Sequence, residues 1–422
     1  MKLFVRASRL AGEIAVTGSK SHTIRGIAAG ALCHGTATLI APLESADTRS
    51  ALEAVKSFGA KVTELEDRWI IEGVGGKFVN SGKTIDMGNS GTGLRMLSGL
   101  AALQDFAITF DGDASLRTRL MKGLLDSFSQ LGARVVSAEG KCPLTIHGPV
   151  RGGSTTADGT TSQFLTALLF SLPMAEGNSE VSLEFLNEKP YIDITLSWLD
   201  TLGIRVEHSA DYLHWHIPGG QRVKSFSRVI AADFSTAAFP LVAGVIAGDG
   251  VAIRNLDFND VQGDKKVFSY LEEMGAELEH RSGLLKIVPD RPLTGKVIDL
   301  NETPDALPIM AVAACNASGE TRLVNAPQAR VKETDRIACM TRELAKMGAD
   351  VEELPDGMVI RGGKLHGAEV ESYGDHRIAM ALAVAGLTAE GETVINDAEC
   401  AAVTYPAFIK DFSRLGAAFR TL

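Results

Sequence analysis

Six glycines set the frame. Gly59, Gly132, Gly203, Gly275, Gly348 and Gly416 each close an amphipathic run, as in LEAVKSFGAKV, LLDSFSQLGARV and FSYLEEMGAEL. Their spacings are 73, 71, 72, 73 and 68 residues. In the first copy Leu52, Val55 and Phe58 fall on one helical face. Gly59 then suits the left-handed position that ends a helix, and an alternating strand follows. A second signal recurs, a glycine ahead of an alternating apolar run: GTATLIAPL (35–43), GDGVAIRNL (248–256), GETRLVNAP (319–327) and GETVINDAE (391–399). Units of this size exceed the ~20–50 residues of solenoid repeats. They predict small α/β subdomains around shared cores, and six of them divide into three plus three.

The chain has 422 residues, 45% hydrophobic and 22% charged, with 42 basic and 52 acidic side chains for a net charge of −10. An acidic field of this kind argues against nucleic acid or an anionic membrane as partner. Anions would have to be met by local cationic pockets. The five scattered cysteines contain no CxxC pair, so neither a disulfide framework nor a thiolate zinc site is expected, in keeping with a reducing cytoplasm. The longest apolar stretches, FPLVAGVIAG (239–248) and IAMALAVAGL (378–387), are about half a membrane span and read as buried helices. The first residues carry no signal-peptide pattern.

Between the repeats lie short segments dense in cations, hydroxyls and glycines: GSKSHTIRG (18–26), MGNSGTGLRML (87–97), GDASLRTR (112–119), GTTSQF (159–164), EKPYIDIT (188–195), ARVKETDR (329–336) and YGDHR (373–377). Each alone also fits a capped helix start or a solvated helix face. Neither a G-x-G-x-x-G fingerprint, a Walker A loop, an HExxH pair nor a G-x-S-x-G elbow is present. Together the segments supply Lys20, Arg25, Arg95, Arg119, Lys332, Arg336 and Arg377, with Asp47, Asp233, Asp305 and Glu333 among them. That inventory suits a substrate with several negative charges and acid–base chemistry without a metal.

In this order, GSKSHTIR, GNSGTGLR, TSQF, KPYIDIT, RVKETDR and GDHR resemble the EPSP synthases, the 3-phosphoshikimate 1-carboxyvinyltransferases of the enolpyruvyl transferase family, over nearly the whole chain. The resemblance implies an α/β fold of two similar domains, each of three βαβαββ units, with the active site in the cleft between them. The first domain would span 19–227, and the second 1–18 with 228–422. The implied reaction moves the enolpyruvyl group of phosphoenolpyruvate (PEP) to the 5-hydroxyl of shikimate 3-phosphate, on the shikimate route to chorismate and the aromatic amino acids. No cofactor is implied, and the expected protein is a cytoplasmic monomer with small-molecule substrates only. By the same resemblance Asp305, Glu333 and Lys20 are catalytic. Lys20, Ser21, Arg25, Thr161, Ser162, Gln163, Tyr191, Asp305, Gln328 and Lys332 would hold shikimate 3-phosphate. Lys20, Asn89, Gly91, Arg119, Gln163, Arg336, His376 and Arg377 would hold PEP.

Three positions depart from the family pattern. Glu188 stands where a serine commonly contacts the 3-phosphate, Val403 where many members carry lysine, and Leu120 where proline is common. A carboxylate facing a phosphate repels it unless the side chain turns away. Two alternatives stay open: an enolpyruvyl transferase of the same fold with a different acceptor, or a catalytically silent binding protein. Transferases acting on UDP-N-acetylglucosamine often carry a cysteine in the loop matching GDASLRTR, near Ala114 here. The joint presence of Lys20, Asp305 and Glu333 argues against the silent alternative.

Overall fold

The computed structural model describes residues 1–281 and 283–422. The chain forms two compact units, Gly18–Ala231 and Met1–Thr17 with Ala232–Leu422. Among the described residues each unit contains three four-stranded sheets, and all six of these share one plan: a parallel pair followed by two antiparallel steps. In the first, Val223–Val229 pairs parallel with Cys33–Ile40, which pairs antiparallel with Arg68–Glu72, itself antiparallel to Lys61–Glu64. The sheets built on Ala107–Asp111, Ser179–Ser182, Gly248–Arg254, Glu320–Val324 and Glu392–Asn396 repeat it. Four of these six central strands are those signalled by a glycine ahead of an alternating run.

Two chain segments are borrowed across the sequence. Leu10–Ala15 is the parallel edge of the sheet containing Gly248–Arg254, and Leu3–Arg6 lies between Glu392–Asn396 and Ala418–Thr421. The first seventeen residues thus belong with the second half of the chain.

Each unit has two kinds of helix. Lys20–Leu32, Gly91–Ala101 and Ser162–Ser171 in one unit, and Phe234–Ala247, Leu307–Cys315 and His376–Gly386 in the other, are almost wholly buried. Beyond the polar and charged residues of their N-terminal turns their sequences are predominantly apolar, which leaves little solvent face. The outer helices are amphipathic. Phe408–Leu415 buries Phe408, Phe412 and Leu415 at the i, i+4, i+7 positions. Six outer helices end at the repeat glycines, which have φ of +99°, +97°, +68°, +115°, +85° and +107° in chain order. Any other residue there, asparagine excepted, carries the left-handed penalty of about 1–2 kcal/mol. All five cysteines are free thiols, and among the described residues no helix is long and apolar enough to cross a membrane.

Candidate active site

All of the chemically dense segments but GDASLRTR, which forms the short turn Leu116–Thr118, fall at or just before helix N-termini, where unpaired N–H groups and the helix dipole favour negative charge. In the Gly18–Ala231 unit the three buried helices are capped by hydroxyls. Ser19 accepts from His22 N, Ser90 from Gly93 N and Thr161 from Gln163 N. The other unit uses carboxylates. Asp233 caps Phe234–Ala247, Asp375 caps His376–Gly386, and Asp305 sits in the tight turn Pro304–Ala306 just ahead of Leu307–Cys315.

Lys20 and Ser21 open the first buried helix. Lys20 Nζ pairs with Asp47 Oδ2 at 3.0 Å. Arg25, one turn further on, is 2% exposed. Its guanidinium donates to Thr195 Oγ1 at 3.1 Å, Thr166 Oγ1 at 3.4 Å, Tyr191 O at 2.9 Å and Ser21 O at 3.0 Å. All four are neutral oxygens, and burial pushes the Arg25 pKa down to about 9. A buried cation held only by dipoles is a ready partner for a ligand carboxylate. His22 faces the core, where its Nδ1 accepts from Trp198 Nε1 at 3.0 Å.

Arg95 Nη1 donates to Gln163 Oε1 at 2.8 Å. Arg119 donates to Asn89 Oδ1 and to Ser115 Oγ, and Asn89 Nδ2 donates to Asp113 Oδ2 at 2.8 Å. A Cβ at Gly91 would lie 2.7 Å from Arg119 Nη1 and 3.0 Å from Arg95 Nη1. Only glycine lets both guanidiniums come this near the start of its helix.

Thr161 and Ser162 begin the third buried helix. Glu188 does not turn away from them. It is 1% exposed, and its Oε2 accepts from Thr161 Oγ1 at 3.1 Å, Ser162 N at 3.2 Å and Ser162 Oγ at 2.9 Å.

In the other unit Arg336 is a hub, 1% exposed. Its Nε meets Asp375 Oδ2 at 2.8 Å, Nη1 meets Asp305 Oδ1 at 2.8 Å, and Nη2 meets Glu333 Oε2 at 2.5 Å. Arg377 Nη2 lies 3.0 Å from Asp305 Oδ2, with its Nη1 on Ser235 Oγ at 2.6 Å, and Lys332 Nζ is 3.9 Å from Asp305. Burial works against charge at both ends of this network. At Asp305 it is outweighed by Arg377, Lys332 and Arg336, which hold the carboxyl far below the usual range. At Arg336 it is outweighed by Asp375, Glu333 and Asp305, which raise the guanidinium's pKa. His376 is buried at the first helical position, and Gln328 donates to Asn301 O at 2.9 Å, tying its segment to the loop that leads into Asp305.

Sequence reasoning did not assign a role to Asp375, Ser235, Thr166 or Thr195, which anchor Arg336, Arg377 and Arg25. The aspartate of GDHR and the last threonine of KPYIDIT were the available signals. Val403 ends the short helical turn Ala398–Val403, and Leu120 is exposed.

The family profile described as EPSP synthase (3-phosphoshikimate 1-carboxyvinyltransferase) matches residues 5–412. The chain belongs to the EPSP synthase family. A relative from Acetivibrio thermocellus named 3-phosphoshikimate 1-carboxyvinyltransferase is 46% identical over 423 residues, covering 100% of both chains. A solved EPSP synthase from Acinetobacter baumannii superposes with a TM-score of 0.84 at 28% identity, covering 100% of both chains. The enolpyruvyl transferase NikO from Streptomyces tendae shares the fold at a TM-score of 0.80 and 17% identity, over 99% of this chain and 98% of that one. The EPSP synthase fold therefore accounts for the six-sheet plan from end to end.

Proposed function

We infer that the chain transfers the enolpyruvyl group of PEP to the 5-hydroxyl of shikimate 3-phosphate, giving 5-enolpyruvylshikimate 3-phosphate and phosphate. The observation that carries this reading is the Arg336 hub, which holds the two proposed proton-handling carboxylates, Asp305 and Glu333, on one guanidinium within a full-length match to the family. The acceptor hydroxyl oxygen attacks C2 of PEP and gives up its proton, while C3 gains one. Collapse of the tetrahedral intermediate then breaks the C2–O bond to phosphate and returns the C3 proton. Glu333 serves C3 in both directions, Asp305 takes the hydroxyl proton, and Lys20 serves the departing phosphate. A positioned acid or base of this kind contributes about 10²–10⁴-fold.

The electrostatics give the sequence of events a physical basis. Asp305, beside three cations, is ionised but holds a proton poorly. Anionic PEP on Arg336 and Arg377 offsets those cations and restores basicity to Asp305, so base strength rises only when the donor substrate is in place. Arg25 with Ser21 takes the shikimate carboxylate, Thr161 and Ser162 the 3-phosphate with Lys332, and Gln163, Tyr191 and Gln328 line the acceptor. Asn89, Gly91, Arg119 and His376 complete the PEP contacts. The bidentate forks of arginine suit carboxylate and phosphate alike. The enzyme is proposed to act as a cytoplasmic monomer, with neither nucleic acid nor membrane as partner.

Phosphate release from PEP, measured with shikimate 3-phosphate, shikimate or UDP-N-acetylglucosamine as acceptor, tests the reading. Turnover with the first alone is expected. Preference for another acceptor makes the chain a transferase of different specificity, and no release with any removes the activity.

A further inference from the structure

Glu188 breaks the charge pattern of its own unit. The other two buried helices there start on hydroxyl caps whose oxygens are neutral. At Thr161 and Ser162 a carboxylate oxygen already receives two hydroxyls and a helix N-terminal N–H, at 2.9–3.2 Å. That is the donor set a phosphate oxygen would use. We propose that Glu188 is an internal occupant of the acceptor-phosphate site, a carboxylate that shikimate 3-phosphate has to displace and that sets the affinity for the phosphorylated acceptor. The proposal rests on the functional reading above and on Thr161 and Ser162 being the phosphate-binding pair.

The local backbone says what moves. Asn187 N donates to Gly159 O at 3.0 Å, and Asn187 Nδ2 to Thr160 O at 3.3 Å. A Cβ at Gly159 would lie 1.7 Å from Phe185 O, so the two segments are laced main chain to main chain. Tyr191 N closes the helix start onto Glu188 O at 3.0 Å. Displacement therefore falls to the Glu188 side chain, which has three rotatable bonds, rather than to the loop. Two anions do not share one set of donors at hydrogen-bond distance, because like charges in contact repel strongly at any protein dielectric. Acceptor binding is thus an exchange, in which one anion leaves the helix start as another arrives. Glu188 keeps the donors satisfied while the site is empty.

Glu188 has φ +59°, so the test uses Glu188→Asn, a short neutral side chain that tolerates the left-handed region, and Glu188→Gln, which keeps length but loses charge. Unfolding midpoints establish that both variants fold. Affinity for shikimate 3-phosphate is read by calorimetry without PEP, and KM for both substrates by phosphate release. Removing the competing charge is expected to tighten shikimate 3-phosphate about ten- to a hundredfold in Glu188→Asn, the worth of a charged hydrogen bond. Glu188→Gln should gain less, since its amide oxygen still occupies the donors. The KM for PEP should stay within about twofold of the wild type, where a general packing defect would move both constants. Unchanged or weaker binding in Glu188→Asn overturns the proposal and leaves the functional reading intact if the wild type turns over shikimate 3-phosphate. A wild type that prefers unphosphorylated shikimate overturns it differently, making Glu188 a permanent substitute for the phosphate.

Discussion

The two units start their buried helices on different chemistry, and their two most buried arginines carry the contrast. Arg25 donates to four neutral oxygens, and its pKa is pushed down to about 9 by burial. Arg336 touches Asp305, Glu333 and Asp375, and its pKa rises. The same sheet plan, repeated six times, carries one buried cation on neutral oxygens, proposed to meet an outside anion, and one already engaged with the protein's own carboxylates. Recognition asks for the first arrangement, since a ligand gains most from a charge whose desolvation is already accounted for in the fold. The proposed proton transfer asks for the second, in which the proposed acid and base are both held on one guanidinium.

The largest expected effect is on Glu333. Glu333→Gln keeps the hydrogen bond to Arg336 but cannot deliver a proton, so kcat should fall about 10²–10⁴-fold, with PEP affinity retained. Turnover within about threefold of wild type would take Glu333 out of the proton-transfer role. Stability should then separate the two arginines. Arg336→Met takes the guanidinium away from the buried Asp375 carboxylate and from the partly buried Asp305 and Glu333, and should cost about 3–5 kcal/mol, read from urea unfolding. Arg25→Met strands only neutral oxygens and should cost about 1–2 kcal/mol, while abolishing acceptor binding. Equal costs would mean that the two arginines do not differ in this way.

Acid sharpens the same comparison. The carboxyl of Asp305 titrates lower in the folded protein than in the unfolded chain. Its contribution is therefore fully present above the unfolded value of about 3.9 and is lost as pH falls below it. Midpoints followed from about pH 6 to 3 should drop less steeply in Asp305→Asn than in wild type; parallel curves would mean that other carboxylates carry the acid loss. The smallest effect is a control on what the units share. Gly132→Ala and Gly416→Ala, one in each unit, should each lower stability by about 1 kcal/mol, because both glycines have φ near +100°.

Much of this was written in the sequence, and the reasons for the rest are physical. The repeat glycines were legible because a left-handed helix end admits little else. Two of the buried helices, Phe234–Ala247 and His376–Gly386, were legible because an all-apolar decamer too short for a membrane has one place to go. The paired motifs of the site were legible as motifs, but their partners were not. Arg25 meets Thr166 and Thr195 from 141 and 170 residues away. No local pattern encodes such a meeting. Glu188 was recognisable as a departure, but its direction depends on a backbone at φ +59° and on a rotamer fixed by neighbours from another helix start. The difference between hydroxyl and aspartate caps was present in Ser19, Ser90, Thr161, Asp233 and Asp375 all along, and became meaningful only once each was known to open a buried helix.

The borrowed N-terminal strands impose a schedule on biosynthesis. Gly18–Ala231 has every strand of its three sheets in hand once Val223–Val229 leaves the ribosome. Leu3–Arg6 is made hundreds of residues before either of its neighbours, Glu392–Asn396 and Ala418–Thr421. At ~5–20 residues per second the stretch from Val229 to Thr421 takes about 10–40 s to appear. Leu10–Ala15 gains its partner as soon as Gly248–Arg254 appears, but both edges of Leu3–Arg6 wait through that whole interval. Those edges are the part of this protein most exposed to wrong partners during its own synthesis.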